Sequence, residues 1–78
     1  MKKTVVELAI CSVVQNILQI EVSLETSREL NPEWDSLVHV EIIFGVEEAL
    51  EVEFPRESLT GLGSVQEIVD EVCKIYAS

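Results

Sequence analysis

Basic residues are scarce in this chain: five Lys and Arg stand against 15 Asp and Glu, a formal net charge of −10 with the single His neutral. Binding a polyphosphate backbone depends on clustered Lys and Arg that displace counterions, so nucleic acid is excluded as the expected partner. An anionic membrane surface is excluded on the same ground, because it attracts polybasic segments. Long hydrophobic runs are also missing. No stretch approaches the about 18 consecutive apolar residues of a membrane span, so no membrane insertion is expected. Lys2 and Lys3 followed by an apolar stretch superficially suggest a signal peptide. Glu7 interrupts that stretch and Gln15 and Asn16 follow it, so the segment reads as part of the fold and the protein is expected in the cytoplasm. Cysteine is limited to Cys11 and Cys73. Small disulfide-stapled domains usually carry four or more. The favoured reading is two free thiols serving as small core residues in a reducing compartment, with one long-range bridge as the alternative. There is no C-x-x-C pair, and His39 has no Cys or His near it in sequence, so no metal site is expected.

What remains is a short, acidic, apolar chain. Its 78 residues make one domain, spanning 1–78, since a domain commonly takes roughly 100–200. A chain of this size buries only about 60% of its unfolded surface, so the core must be contiguous. The hydrophobic content of 47% argues against disorder, which requires low hydrophobicity as well as high charge. The acidity points to basic protein surfaces or cations as partners.

Helical spacing dominates the pattern. From about Lys3 to Ile20, the residues Val6, Ile10, Val13 and Ile17 recur at three and four, with Leu8, Val14 and Leu18 widening the stripe and Thr4 near the N-cap. Glu21 to Trp34 is a long polar connector, with Val22 and Leu30 as the expected anchors. Long loops in small domains are often functional. Asp35, a strong N-cap residue, opens a second helix. Its apolar arc, which includes Leu37, Val40, Ile42, Ile43, Phe44, Val46 and Leu50, is too wide for one buried face. Some of Leu37, Val40 and Phe44 should therefore be exposed beside acids, as on a docking surface. Gly45 in this helix costs about 1 kcal/mol against Ala, and it either permits close helix packing or is simply tolerated. A brief helical turn follows Pro55, over Arg56 to Leu59, with Gly61 and Gly63 ending it. Ser64 and Glu67 fit a capping box that starts a final helix. There, Val65, Ile68, Val69, Val72 and Ile75 or Tyr76 form the apolar stripe. The expected fold is all-α: a small four-helix bundle of three main helices and a short third one.

The informative residues are Trp34-Asp35-Ser36-Leu37, where the connector meets the second helix. They put the Ser36 hydroxyl at a helix N-terminus, where unpaired N–H groups and the helix dipole favour an anion. Asp35-Ser36-Leu37, followed by Val40-Glu41-Ile42-Ile43 and Glu47-Glu48, resembles the acyl carrier protein family. The resemblance covers the whole chain in plan: a long first helix, a long loop, the Asp-Ser-Leu start of helix two, a short third helix and a final helix.

That resemblance implies a specific chemistry. Ser36, flanked by Asp35 and Leu37, would carry 4′-phosphopantetheine, transferred from coenzyme A by a phosphopantetheinyl transferase. The terminal thiol would hold an acyl group as a thioester, and the protein would not itself be an enzyme. Helix two would be the recognition helix. Leu37, Val40 and Phe44 would make apolar contacts, and Glu41, Glu47 and Glu48 would meet basic docking patches on acyl-loading and acyl-transferring enzymes, with Arg56 and Glu57 completing the partner-binding set. The charge pattern agrees. From Glu41 to Glu57 the acids are Glu41, Glu47, Glu48, Glu51, Glu53 and Glu57, and the only base is Arg56. One-sided charge of this kind speeds encounters more than it tightens binding. A monomer is expected for a carrier that hands its cargo between partners. The sequence departs from fatty-acid-synthesis members, which resemble Leu-Gly-x before Asp-Ser-Leu, where Asn31-Pro32-Glu33-Trp34 stands here. The Trp-Asp-Ser-Leu form looks more like free-standing carriers that serve a dedicated lipid, polyketide or surface-polysaccharide pathway.

Other readings compete. An aminoacyl or peptidyl carrier would use the same serine. A non-covalent acidic adaptor would use the same helix face without needing the hydroxyl. Ser36 and His39, three apart on one helix, could meet as part of a hydrolytic triad with Asp35. Such a site also needs an oxyanion hole and a pocket, and the chain has no G-x-S-x-G elbow. His39 is instead expected to be partly exposed near the arm, and Trp34 to be a loop anchor over the helix ends that could also shield the arm or its cargo.

Overall fold

Apolar spacing, capping residues and two left-handed stops divide the chain into helices. The computed structural model describes residues 2–77. In it α1 spans Lys3–Leu18, α2 spans Ser36–Leu50, a 3₁₀ helix spans Arg56–Gly61, and α3 spans Val65–Ala77. Among the described residues the only sheet-like pairing is an isolated antiparallel bridge between Ser27 and Ser64. The fold is all-helical, as the spacing predicts.

The core is built where three stripes meet. α1 buries Val6, Ile10, Val14 and Leu18. The row at intervals of four prevails over the expected row through Val13 and Ile17, which are half-buried, while Leu8 is exposed. α2 contributes Ile42, Ile43, Val46 and Leu50, and α3 contributes Val65, Ile68, Val69 and Val72. Both α2 and α3 pack on α1. Gly45 lies where α2 meets α1: a Cβ there would stand 2.8 Å from Val13 Cγ1 and 3.8 Å from Ile17 Cδ1. Of its two sequence readings, close helix packing is the correct one. Cys11 and Cys73 are free and half-buried, packed against the core.

Thr4 lies near the start of α1, two residues past the cap: Lys2 occupies the cap without a side-chain bond, and its carbonyl accepts the N–H groups of Val5 and Val6. The helix ends depart from expectation in two places. α1 stops at Leu18 rather than Ile20, because Gln19 turns left-handed at φ 60°. α2 ends in the same way at Glu51, with φ 54°, and the Val52 N–H returns 3.1 Å to the Glu47 carbonyl, a Schellman closure made without glycine. The short helix reaches Gly61 instead of stopping at Leu59.

The long connector is tied to the start of α3. Leu30, the expected anchor, is 73% exposed; Val22 and Leu24 pack against the core instead. Helix starts leave N–H groups without partners inside the helix. In α3 the connector satisfies them: Val65 donates to the Thr26 carbonyl at 2.9 Å and Gln66 to the Leu24 carbonyl at 3.1 Å, while Arg28 donates to the Gly63 carbonyl at 2.8 Å. Glu67 N–H donates to Ser64 Oγ at 3.1 Å, as a capping box requires. The Glu67 carboxylate takes the Ser64 hydroxyl rather than the Ser64 backbone N–H, also at 3.1 Å. This seam holds the middle of the connector, residues 24–28, against the start of α3.

Candidate functional site

The site begins with a turn. Asn31 Nδ2 donates 2.9 Å to the Ser27 carbonyl, and the Trp34 N–H donates 2.9 Å to the Asn31 carbonyl. Trp34 is buried at the helix junction, as a loop anchor should be. Asp35 follows in extended conformation as the N-cap of α2. Its Oδ1 accepts the Val38 N–H at 2.9 Å, and its carbonyl accepts the His39 N–H at 2.8 Å. Ser36 is the first residue of α2 and is exposed. Sequence and structure agree on this placement because Asp at the N-cap fixes which residue comes next. The exposed hydroxyl stands in the positive field of a 15-residue helix, where an attached phosphodiester is favoured. The residues present therefore fit a phosphate-linked group at Ser36.

The face beyond Ser36 is apolar and open. Leu37 is 77% exposed, Val40 47% and Phe44 64%, at spacings of three and four that place them along one side of α2. Glu41 and Glu48 are exposed beside them, and Glu51, Glu53, Arg56 and Glu57 are exposed further along. Glu47 differs from the other acids. It is half-buried, and its Oε2 accepts the Phe54 N–H at 2.8 Å, so it also fastens the loop after α2.

Between α2 and that loop lies a groove of about 800 Å³, open to solvent and mostly apolar. Val40, Ile43 and Phe44 line it from α2, Leu59 and Thr60 from the 3₁₀ helix, and Val52 and Phe54 from the loop between them. Nothing in the sequence pattern alone indicates this space, because it arises from how residues 52–60 lie against the helix.

His39 corrects the sequence expectation. It is not partly exposed: only 7% of it is accessible, and it is the one buried polar residue among those described. Both ring nitrogens are engaged. Trp34 Nε1–H donates to Nδ1 at 3.0 Å, so Nε2 carries the proton and donates 2.8 Å to the Leu59 carbonyl. No ring nitrogen is left to act on Ser36, and the Ser36–His39 pairing is not formed. The burial could have been read from spacing: position 39 precedes Ile42, Ile43, Val46 and Leu50 on the inward stripe, and Trp34 supplies a donor from the turn before. Asp35, Ser36 and Leu37 are brought to one helix end, and Val40, Phe44 and Glu41 share the adjoining face.

No known family's sequence profile matches the chain, and no curated protein matches it.

Proposed function

We propose that the protein is a carrier whose Ser36 accepts 4′-phosphopantetheine from coenzyme A, and that α2 presents the loaded arm to partner enzymes. The observation that carries this reading is an exposed serine at the first position of α2, held there by its Asp35 cap and adjoined by an exposed Leu37–Val40–Phe44 stripe. When bound, the group supplies a terminal thiol that holds an acyl chain as a thioester.

The chain's own residues do the rest. Ser36 offers the oxygen of the phosphodiester. The α2 N-terminus favours the phosphate's charge. Asp35 keeps the first turn closed, so the hydroxyl stays at a fixed place for a transferase. Leu37, Val40 and Phe44 give partners an apolar contact, and Glu41 and Glu48, with Glu57 further along, steer them through charge. Glu47 contributes charge at that rim while holding Phe54, and among the described residues that line the groove Arg56 is the one Lys or Arg. The groove beside Val40 and Phe44 offers an aliphatic cargo an apolar resting place. Its apolar lining favours an acyl over an aminoacyl cargo, within a dedicated lipid, polyketide or surface-polysaccharide pathway. The protein works as a monomer and catalyses none of the steps itself.

Incubation with coenzyme A bearing a fluorophore on its thiol, together with a promiscuous phosphopantetheinyl transferase, tests the reading. Label should enter the parent chain and His39→Leu alike, and should be lost in Ser36→Ala. A chain that takes no label, yet binds basic proteins equally well with and without the Ser36 hydroxyl, is the non-covalent adaptor instead.

A further inference from the structure

We propose that Arg56–Gly61 is a strap forming one side of the groove and that the Trp34–His39 pair is its fastener. Among the described residues, no side chain of this 3₁₀ helix is fully buried. The segment is held at its ends, by buried Phe54 before it and buried Leu62 after it. Its midpoint, Leu59, packs against the core through a half-buried side chain. The bond from His39 Nε2 to the Leu59 carbonyl, 2.8 Å long, joins residues 20 apart and ties that midpoint to α2. At the strap's two ends the backbone bonds are local: Ser58 N–H to the Pro55 carbonyl, and Leu62 N–H to the Leu59 carbonyl at 3.5 Å.

The fastener has a second part. An imidazole can carry its single proton on either nitrogen, and only the Nε2–H form can donate to Leu59. Trp34 selects that form, because its indole N–H requires an acceptor at Nδ1. The tryptophan before the Asp-Ser-Leu turn thus acts on the strap through histidine. Loosening the fastener moves the Leu59–Thr60 side of the groove while the Val40–Ile43–Phe44 side stays with α2. The groove's width is therefore set by two residues outside the 3₁₀ helix. The fastener stands apart from the carrier reading; under that reading it governs how readily the groove takes up an aliphatic chain.

Amide hydrogen exchange read by NMR tests this on the full chain. Changing Trp34→Phe and His39→Leu together removes donor and acceptor at once, leaving no orphaned indole N–H in the core. The Ser58 and Leu62 amides should then exchange about fivefold faster or more, relative to Val46 and Ile68 in the core, the factor expected from one lost hydrogen bond. Trp34→Phe alone should give a smaller change of the same sign, because the tautomer is no longer selected. In the unaltered protein, the ¹⁵N spectrum of the ring should show a protonated Nε2 and a bare Nδ1. An Nδ1–H tautomer overturns the proposal even if no variant folds. So does exchange at Ser58 and Leu62 that stays at the parent rate, or that rises only by the factor seen at Val46 and Ile68.

Discussion

Single residues divide into those that hold the site and those the site displays. Ser36 is displayed, and substitution of an exposed residue of this kind usually shifts stability by less than about 0.5 kcal/mol. Ser36→Ala should therefore melt like the parent in a thermal scan while losing any modification. Asp35 holds, and Asp35→Ala should cost about 1 kcal/mol as the Val38 N–H loses its acceptor, measured as a lower urea midpoint with unchanged slope. Cys11 gives a pH-dependent test. Burial, and then the charge of Glu7, push its thiol pKa above the ordinary value. The folded chain thus keeps this proton to higher pH than the unfolded chain does. Its contribution to stability is complete below the unfolded thiol's pKa and is lost as pH climbs through the folded one. Alkylation of Cys11 by iodoacetamide at mildly alkaline pH should be slower in the native chain than in urea, and equal rates would show a thiol not shielded by the fold. Residue roles were unevenly legible in the sequence. Asp35 and Ser36 were readable because a cap names its neighbour. Leu30 was not, since hydropathy alone favours it as an anchor, whereas backbone bonds from Gln66 and Val65 pull Leu24 and Thr26 inward. His39 was readable only through spacing, and its polar ring hid that signal.

At the scale of elements, α2 shows a conflict between stability and display. Its last turn contains Glu47 and Glu48, at the end where the helix dipole favours cations. Glu47 is offset by its bond to Phe54; exposed Glu48 is not compensated in that way. Glu48→Lys should raise Tm at low salt, and the gain should shrink as salt is added. A lower Tm would mean that Glu48 has a structural role like that of Glu47. The packing of α2 on α1 gives a second test. An exposed helix glycine gains about 1 kcal/mol on replacement by Ala. Gly45 is opposed by a stiff Val13 methyl, and overpacking costs about 1–3 kcal/mol. Gly45→Ala should be neutral to destabilising, and Val13→Ala in the same chain should recover the helix gain. Additive effects in that double-mutant cycle would contradict close packing at Gly45. Helix existence was legible from periodicity, and so was the start of α3 from Ser64 and Glu67. The stops were not. Gln19 and Glu51 take a left-handed conformation usually left to glycine, so neither carries the sequence signal of a helix end. Glu51→Gly should stabilise by about 0.5–1 kcal/mol, since it relieves the left-handed Cβ contact at a smaller cost in unfolded-chain entropy.

For the whole molecule, a net charge of −10 on 78 residues opposes compaction through self-repulsion. Tm should rise from low to moderate salt, and a flat response would mean the acids are too dispersed to repel. The same excess of acid, placed around an apolar stripe and an exposed serine, is what a carrier needs to meet basic partners and leave them. The groove and its fastening were beyond sequence reading, because both depend on how residues 52–60 fold back over α2. The most direct test of carrier function is intact mass after incubation with coenzyme A and a phosphopantetheinyl transferase. Carrier function predicts a gain of one phosphopantetheine in the parent, none in Ser36→Ala, and slower gain in Phe44→Asp. No gain in the folded parent, with an established carrier modified in parallel, or an undiminished gain in Ser36→Ala, would contradict it.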